Sequence, residues 1–267
     1  MSYKSVVLLG ASGNLGKLTL PTFLDSDLSV TAVIRTTSQA TFPEGINVVK
    51  SDFNVESLSK VFEGQDAVIS LFPILSLEAQ AIAIEAAIAA GVKRFIPSEY
   101  GSDSTNPDVI AAVPFFEAKK KYLDYLKSRE DAISWTGLIT GPFFDWGLPM
   151  GIWGFDLINK KAQLFDGGNT KFTASNGTEV LAVLEKATGT EWARTEIPVE
   201  EVRAEAFKLL SEGDVANGGA KAIASVVFGK EALEYHTHLG TAQWNKELGL
   251  PSETVEATVQ RVLKSLE

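Results

Sequence analysis

The sequence predicts a doubly wound α/β fold built on a parallel sheet, joined to a smaller and mainly helical lobe. The apolar run Val6-Val7-Leu8-Leu9 leads directly into Gly10-Ala11-Ser12-Gly13-Asn14-Leu15-Gly16. Apolar runs of strand length and segments of helical period then alternate through the first half. After Gly141 the texture changes to the turn-rich aromatic stretch Gly141-Pro142-Phe143-Phe144-Asp145-Trp146-Gly147-Leu148-Pro149.

Strands are predicted at Ser5–Leu9, Val30–Arg35, Ile46–Lys50, Ala67–Leu71, Arg94–Pro97 and Ile133–Leu138. Helices are predicted between them at Leu15–Leu24, Val55–Phe62, Leu77–Ala90 and Phe115–Ser128. The strand runs are apolar on successive residues, as expected of strands covered on both faces. In the second half, Glu179–Thr188, Pro198–Glu212, Ala216–Phe228 and Pro251–Leu266 read as helices. No internal repeat or low-complexity linker interrupts the chain.

With 267 residues and 45% hydrophobic content, the chain can bury a large core. It carries 24 Lys+Arg against 34 Asp+Glu, a formal charge of −10. An acidic body of this kind disfavours nucleic acid and anionic membranes as partners. The absence of cysteine excludes disulfides, thiolate nucleophiles and zinc–cysteine sites. Met1-Ser2-Tyr3-Lys4 runs straight into the first strand, and the apolar stretch Ala79–Ala90 is too short to span a bilayer. A cytoplasmic location is the expectation.

A strand, a glycine turn and a helix N-terminus together form an anion site, since glycines allow close backbone approach and the helix dipole favours negative charge. Gly10, Ser12, Gly13, Asn14, Leu15 and Gly16 therefore become candidates for holding a pyrophosphate in a Rossmann-type fold. The spacing Gly-x-x-Gly-x-x-Gly differs from the commonest dinucleotide fingerprint, so the following strand matters. That strand ends in Arg35, where an acidic residue would select NAD. The planar guanidinium instead suits a 2′-phosphate, and Thr36 adds a hydroxyl; this points to NADPH/NADP+. An ordinary surface charge is the plainer alternative for Arg35. On this reading residues 1–141 form the NADP-binding domain. Residues 142–267 form a substrate-binding lobe, interleaved with the first and supplying the other side of a cleft.

Asp52 and Phe53 follow the third strand, where a carboxylate can accept from an adenine amino group and an aromatic can flank the base. Asp52 could equally cap the next helix, as could Asn54. Phe72 ends the fourth strand on the cofactor's path, or is plain core. Ser98, Glu99 and Tyr100 follow the fifth strand at the same edge. His236 and His238 are too close together for a helical metal pair and read as loop residues, so no metal is expected.

The stretch Arg94-Phe95-Ile96-Pro97-Ser98-Glu99-Tyr100-Gly101 resembles the Arg-Phe-Pro-Ser-Glu-Phe-Gly signature of the NmrA-like, isoflavone-reductase-like members of the atypical short-chain dehydrogenases. The glycine turn, Arg35, Asp52, Gln80 and Phe116-Glu117-Ala118-Lys119 occur in that family's order. The segment Gly141–Gly154 is similar to the fungal branch. The resemblance implies that Lys119 touches the nicotinamide ribose and the proton-transfer path. By composition alone, Lys119-Lys120-Lys121 would pass for a solvated run. Phe115 stands four residues before Lys119, where ordinary short-chain dehydrogenases carry the catalytic tyrosine. That argues against simple ketone reduction and fits hydride delivery to a conjugated or benzylic carbon. Phe143 would contact cofactor, while Glu99, Tyr100, Phe144 and Trp146 would contact a small apolar or aromatic substrate.

This chain departs from the family after Asp166-Gly167-Gly168-Asn169. It passes from Phe172-Thr173-Ala174-Ser175 directly to Asn176-Gly177-Thr178 and the helix Glu179–Thr188, without a helix and strand that relatives carry. Either the deletion is real or a segment has been lost from the sequence. An NADPH-dependent reductase is the first expectation. An NADP(H)-binding sensor without turnover and a redox-neutral isomerase or cyclase are the alternatives. Substrate identity and oligomeric state are not legible.

Overall fold

The computed structural model describes residues 3–73, 76, 78–173, 175–236 and 241–266. The chain divides into two compact units, one comprising Met1–Tyr100 and Phe115–Ile139, the other Gly101–Pro114 and Thr140–Glu267.

The first unit is a six-stranded parallel sheet. In chain order its elements are β1 (Ser5–Leu9), α1 (Asn14–Leu24), β2 (Ser29–Arg35), β3 (Asn47–Ser51), α2 (Val55–Phe62), β4 (Ala67–Ser70), α3 (Glu78–Ala89) and β5 (Arg94–Ile96). After the excursion into the second unit come α5 (Glu117–Ser128) and β6 (Ser134–Trp135). The strand order is β3-β2-β1-β4-β5-β6, so the chain winds outward in both directions from β1. Alternate residues of β1 serve different layers. Val7 and Leu9 pack with Val68, Phe95 and the apolar faces of α2, α3 and α5, through residues such as Phe62, Ile84 and Leu126. Val6 and Leu8 pack with Ala32 and Leu20 of α1. This two-sided burial explains why the strands read as unbroken apolar runs.

Most predicted elements of this unit lie within one or two residues of the observed ones. The exception is the sixth strand, expected over Ile133–Leu138 and paired only through Arg94↔Ser134 and Phe95↔Trp135. Its neighbour β5 runs into Pro97, which has no N–H to continue the ladder. The helix expected from Phe115 begins at Glu117, after a 3₁₀ turn over Pro114–Phe116. Leu77, its predecessor's expected first residue, lies outside the described residues.

The second unit contains α4 (Pro107–Ala112), α6 (Phe144–Gly147), β7 (Phe155–Asp156), β8 (Lys161–Phe165), α7 (Gly177–Thr188), β9 (Ala193–Ile197), α8 (Val199–Ser211), α9 (Val215–Phe228), α10 (Thr241–Glu247) and α11 (Val255–Lys264). Strands β7, β8 and β9 form a second sheet, with β8 and β9 parallel and joined through α7. Its core gathers Trp153, Phe155, Phe165, Leu184, Trp192, Phe228 and Val259. Phe228 is the hub of the aromatic group, 5.2 Å from Phe165 and 5.5 Å from Phe172 between ring centroids. The short strands were not predicted. Where the family departure falls, the Phe172 N–H donates to the Ser175 carbonyl at 2.8 Å, and Lys171 bridges Asn176. The Asn176 side chain then accepts from the Glu179 N–H at 2.9 Å and starts α7. Ala174 lies outside the described residues.

His236 is buried in this unit against Glu234, with Nε2 and Oε2 3.0 Å apart. The Glu234 carbonyl accepts from the Thr173 hydroxyl at 2.6 Å and from its N–H at 3.0 Å. His238 lies outside the described residues. Among the described residues no group of His, Asp and Glu could hold a metal ion, and no helix is long and apolar enough to cross a membrane.

Two stability measurements follow from these contacts. Asn54 and Ser57 form a reciprocal capping box at α2, so Asn54→Ala costs about 1 kcal/mol in denaturant unfolding. The Glu234 hydrogen bond holds the His236 imidazolium pKa above its ordinary 6.5, with the charges of Glu234 and Asp103 adding to it and burial opposing. A raised folded-state value stabilises fully below the unfolded value, and the gain is lost as pH rises through the folded one. The thermal midpoint of the wild type therefore falls more steeply than that of His236→Gln as pH climbs above 6.5. Parallel profiles would show that the pair contributes no pH-dependent stability.

Candidate functional site

The carboxyl ends of the parallel strands share one edge of the first sheet, and most of the residues singled out from the sequence lie there. The turn after β1 is shaped by close backbone contact. Gly10 has φ +80°, and a Cβ on it would lie 2.7 Å from the Leu71 carbonyl oxygen. A Cβ on Gly16 would lie 2.4 Å from the Ala11 carbonyl oxygen, so only glycine lets α1 start this close to the strand. The Gly13 N–H donates to the Gly10 carbonyl at 2.9 Å. Gly13 is also the N-cap of α1, with no side chain to satisfy the first amides and no acidic residue in the first turn. The exposed Ser12 and Asn14 and the half-buried Leu15 complete this N-terminus, whose free amides and dipole suit an anion.

Arg35 ends β2, in register with Ser51 at the end of β3. It is exposed and forms no ion pair among the described residues; Thr36 beside it is exposed too. The Thr36 N–H donates to the Ser51 carbonyl at 3.2 Å. Asn54, rather than Asp52, caps α2. Asp52 is thereby left exposed, with no hydrogen bond to another described residue. Phe53 has φ +56°, an uncommon conformation for a bulky residue, and its ring stands 6.1 Å from that of Phe72. Phe72 is buried, and its carbonyl accepts the Ser98 hydroxyl at 2.7 Å. The Ser98 N–H donates to the buried Gln80 side-chain oxygen, also at 2.7 Å. Ser98 thus ties the ends of β4 and β5 to α3.

Lys119 is 6% exposed, whereas Lys121 is exposed and Lys120 reaches outward to Asp124. Lys119 shares its helical face with the buried Leu123 and Leu126. The spacing Phe116, Lys119, Leu123, Leu126 is therefore a sequence signal for its burial, though the run of three lysines obscures it. Its Nζ lies 5.7 Å from the Phe116 ring centroid and has no hydrogen-bond partner among the described residues. Burial pushes the ammonium pKa down, and the charge of Glu99 opposes that effect. Glu99 is wholly buried. Tyr100 is half-buried, and burial pushes its phenol pKa up. Phe115 packs edge-on against Phe116 at 4.9 Å.

In the second unit, Phe143 and Trp146 are exposed at α6, while Phe144 packs 6.2 Å from Phe172. The Phe144 carbonyl accepts the Trp153 indole N–H at 2.8 Å. Sequence reasoning missed the Glu234–His236 pair, whose signal is only a two-residue spacing. It also missed a cavity of about 330 Å³ lined by Ile152, Phe165, Val202, Glu205 and Lys221.

The profile of the NmrA-like family matches residues 2–145. Oxidoreductase aprR of Aspergillus flavus is 29% identical over an alignment of 301 positions, covering 97% of this chain and 98% of the relative. That alignment exceeds the 267 residues present here, so the relative carries segments without a counterpart in this chain. Oxidoreductase poxI of Penicillium oxalicum is 31% identical over 66% of this chain and 58% of its own length. Among solved structures, leucoanthocyanidin reductase of Vitis vinifera in its binary complex with NADPH superposes with a TM-score of 0.77. It shares 17% identity and the match covers 97% of this chain and 99% of that one, a likeness of fold. The glycine turn, the six-stranded parallel sheet and the profile match agree: this chain belongs to the NmrA-like family.

Proposed function

We propose that this chain is an NADPH-dependent oxidoreductase that reduces a conjugated or benzylic carbon of a small apolar or aromatic substrate. The observation that carries the proposal is the buried Lys119 ammonium, without a hydrogen-bond partner among the described residues, in a unit whose glycine turn has no room for a Cβ at Gly10 or Gly16. A buried ammonium that makes no hydrogen bond to a described residue is a candidate for chemistry. The names of the fungal relatives and the fold of the NADPH-bound reductase support the reading.

The residues present fit NADPH. The amides at the start of α1 would take the pyrophosphate, and Arg35 with Thr36 the 2′-phosphate. Asp52 would accept from the adenine amino group, with Phe53 and Phe72 beside the base and ribose path. The nicotinamide supplies the hydride when bound. Ser98 holds the strand ends in place, and Lys119 would orient the ribose and hold or pass the proton that balances hydride transfer. Tyr100 would lie toward the substrate, while Phe143, Phe144 and Trp146 belong to the second unit. Binding without turnover, as in a redox sensor, is the second reading, favoured by the departure from the family pattern after Asn169, where the Phe172 N–H donates to the Ser175 carbonyl.

The reading is checked by titrating the purified protein with NADPH and NADH, then screening aromatic acceptors for NADPH oxidation. Arg35→Asp lowers NADPH affinity far more than NADH affinity in calorimetry, and an unchanged ratio removes the reason for naming the phosphate form. Lys119→Ala keeps NADPH affinity within about tenfold, ~1.4 kcal/mol, while turnover falls much further. Equal losses of both would remove the catalytic assignment, and tight binding with no turnover of any acceptor favours the sensor.

A further inference from the structure

We propose that Glu99 is a positioning residue for Lys119, its buried carboxylate facing the ammonium and keeping it charged inside the site; this rests on the reading of Lys119 given above. Glu99 has no exposed surface and Lys119 is 6% exposed, so both charges are withdrawn from water within the same unit. The backbone at Glu99 is fixed, its N–H donating to the Pro97 carbonyl at 2.9 Å while the adjoining Ser98 is tied to Phe72 and Gln80. The buried face of α5 meets the same spot. A Cβ on Gly137 would lie 3.5 Å from both Glu99 Cγ and Leu123 Cδ2. Leu123 follows Lys119 by one helical turn on the same face. The Glu99 stem and this face of α5 therefore pack around one point, beside Gly137, and the Phe116 ring adds an aromatic wall 5.7 Å from Nζ.

A desolvated ammonium tends to lose its proton or swing out to water. The carboxylate opposes both outcomes, and its charge raises the Lys119 pKa against the lowering by burial. Held in its charged form, Lys119 keeps N–H bonds to donate to ribose hydroxyls. Glu99 acts here through Lys119 and not on substrate.

The test needs no substrate. The intact protein is acetylated competitively with acetic anhydride across a pH series, and Lys119 is separated from Lys120 and Lys121 by peptide fragmentation in the mass spectrometer. The wild-type Lys119 midpoint lies below the ordinary 10.5. Glu99→Gln lowers that midpoint further by about one pH unit, so labelling at pH 8 rises several-fold. Glu99→Asp withdraws the charge by one methylene and gives a smaller lowering. An unchanged midpoint in folded Glu99→Gln overturns the proposal; if that variant fails to fold, an unchanged midpoint in Glu99→Asp overturns it. Repeating the labelling with NADPH separates the two readings. Protection with an immobile midpoint removes only the role of Glu99, whereas no protection removes the site reading of Lys119 and the positioning role with it.

Discussion

Two points where the backbone leaves no room for a Cβ govern the geometry of the sheet edge. At Gly10 the obstacle is the Leu71 carbonyl, just beyond β4; at Gly16 it is the Ala11 carbonyl, inside the turn itself. Strands β1 and β4 are in register through Leu9↔Ser70, so the end of β4 passes directly beside the turn. A side chain at Gly10 would push Leu71 away, and Phe72 with it. Phe72 in turn accepts the Ser98 hydroxyl and stands against Phe53. One close approach therefore links the ends of β1, β3, β4 and β5, four of the places that carry residues of the candidate site.

The left-handed Phe53 shows the same edge holding strain. A bulky residue at φ +56° costs roughly 1–3 kcal/mol and persists only where its surroundings over-determine it. Here the Ser51 hydroxyl accepts the Phe53 N–H at 3.1 Å, and the capping box begins at the next residue. The consequence is an aromatic ring turned toward Phe72 and an exposed carboxylate at Asp52. A relaxed extended residue at position 53 would change the course of the chain into α2 and lose this arrangement.

Much of this unit was legible in the sequence because its signals are local and consistent. The run Val6–Leu9 is buried on both faces, the helix Val55–Phe62 is bounded by its own capping residues, and the turn glycines mark a backbone need that no other residue meets. Where legibility failed, the deciding interaction was distant. The sixth strand looked longer because its apolar residues said nothing of Pro97 on the neighbouring strand. The strand Ala193–Ile197 is largely exposed and polar, so it offered no alternation to read. Lys119 was named through family resemblance, although the three- and four-residue spacing of Phe116, Lys119, Leu123 and Leu126 already placed it on the apolar stripe of its helix. The pairing of Glu234 with His236 depends on Thr173 arriving from 61 residues away to fix the Glu234 carbonyl.

The electrostatics of the protein also resolve by distance. A formal charge of −10 describes a surface that repels polyanions, yet exposed charges are screened beyond roughly 8 Å at physiological ionic strength. Contact groups decide what happens within that range. The first turn of α1 carries no acid, its cap carries no side chain, and Arg35 at the neighbouring strand end is not occupied by an ion pair among the described residues. Oriented amides and one uncommitted guanidinium act at hydrogen-bond distance, where the remote carboxylates contribute little. An acidic body and a site for a single phosphorylated ligand are therefore compatible in one chain, because net charge and local donors act over different lengths.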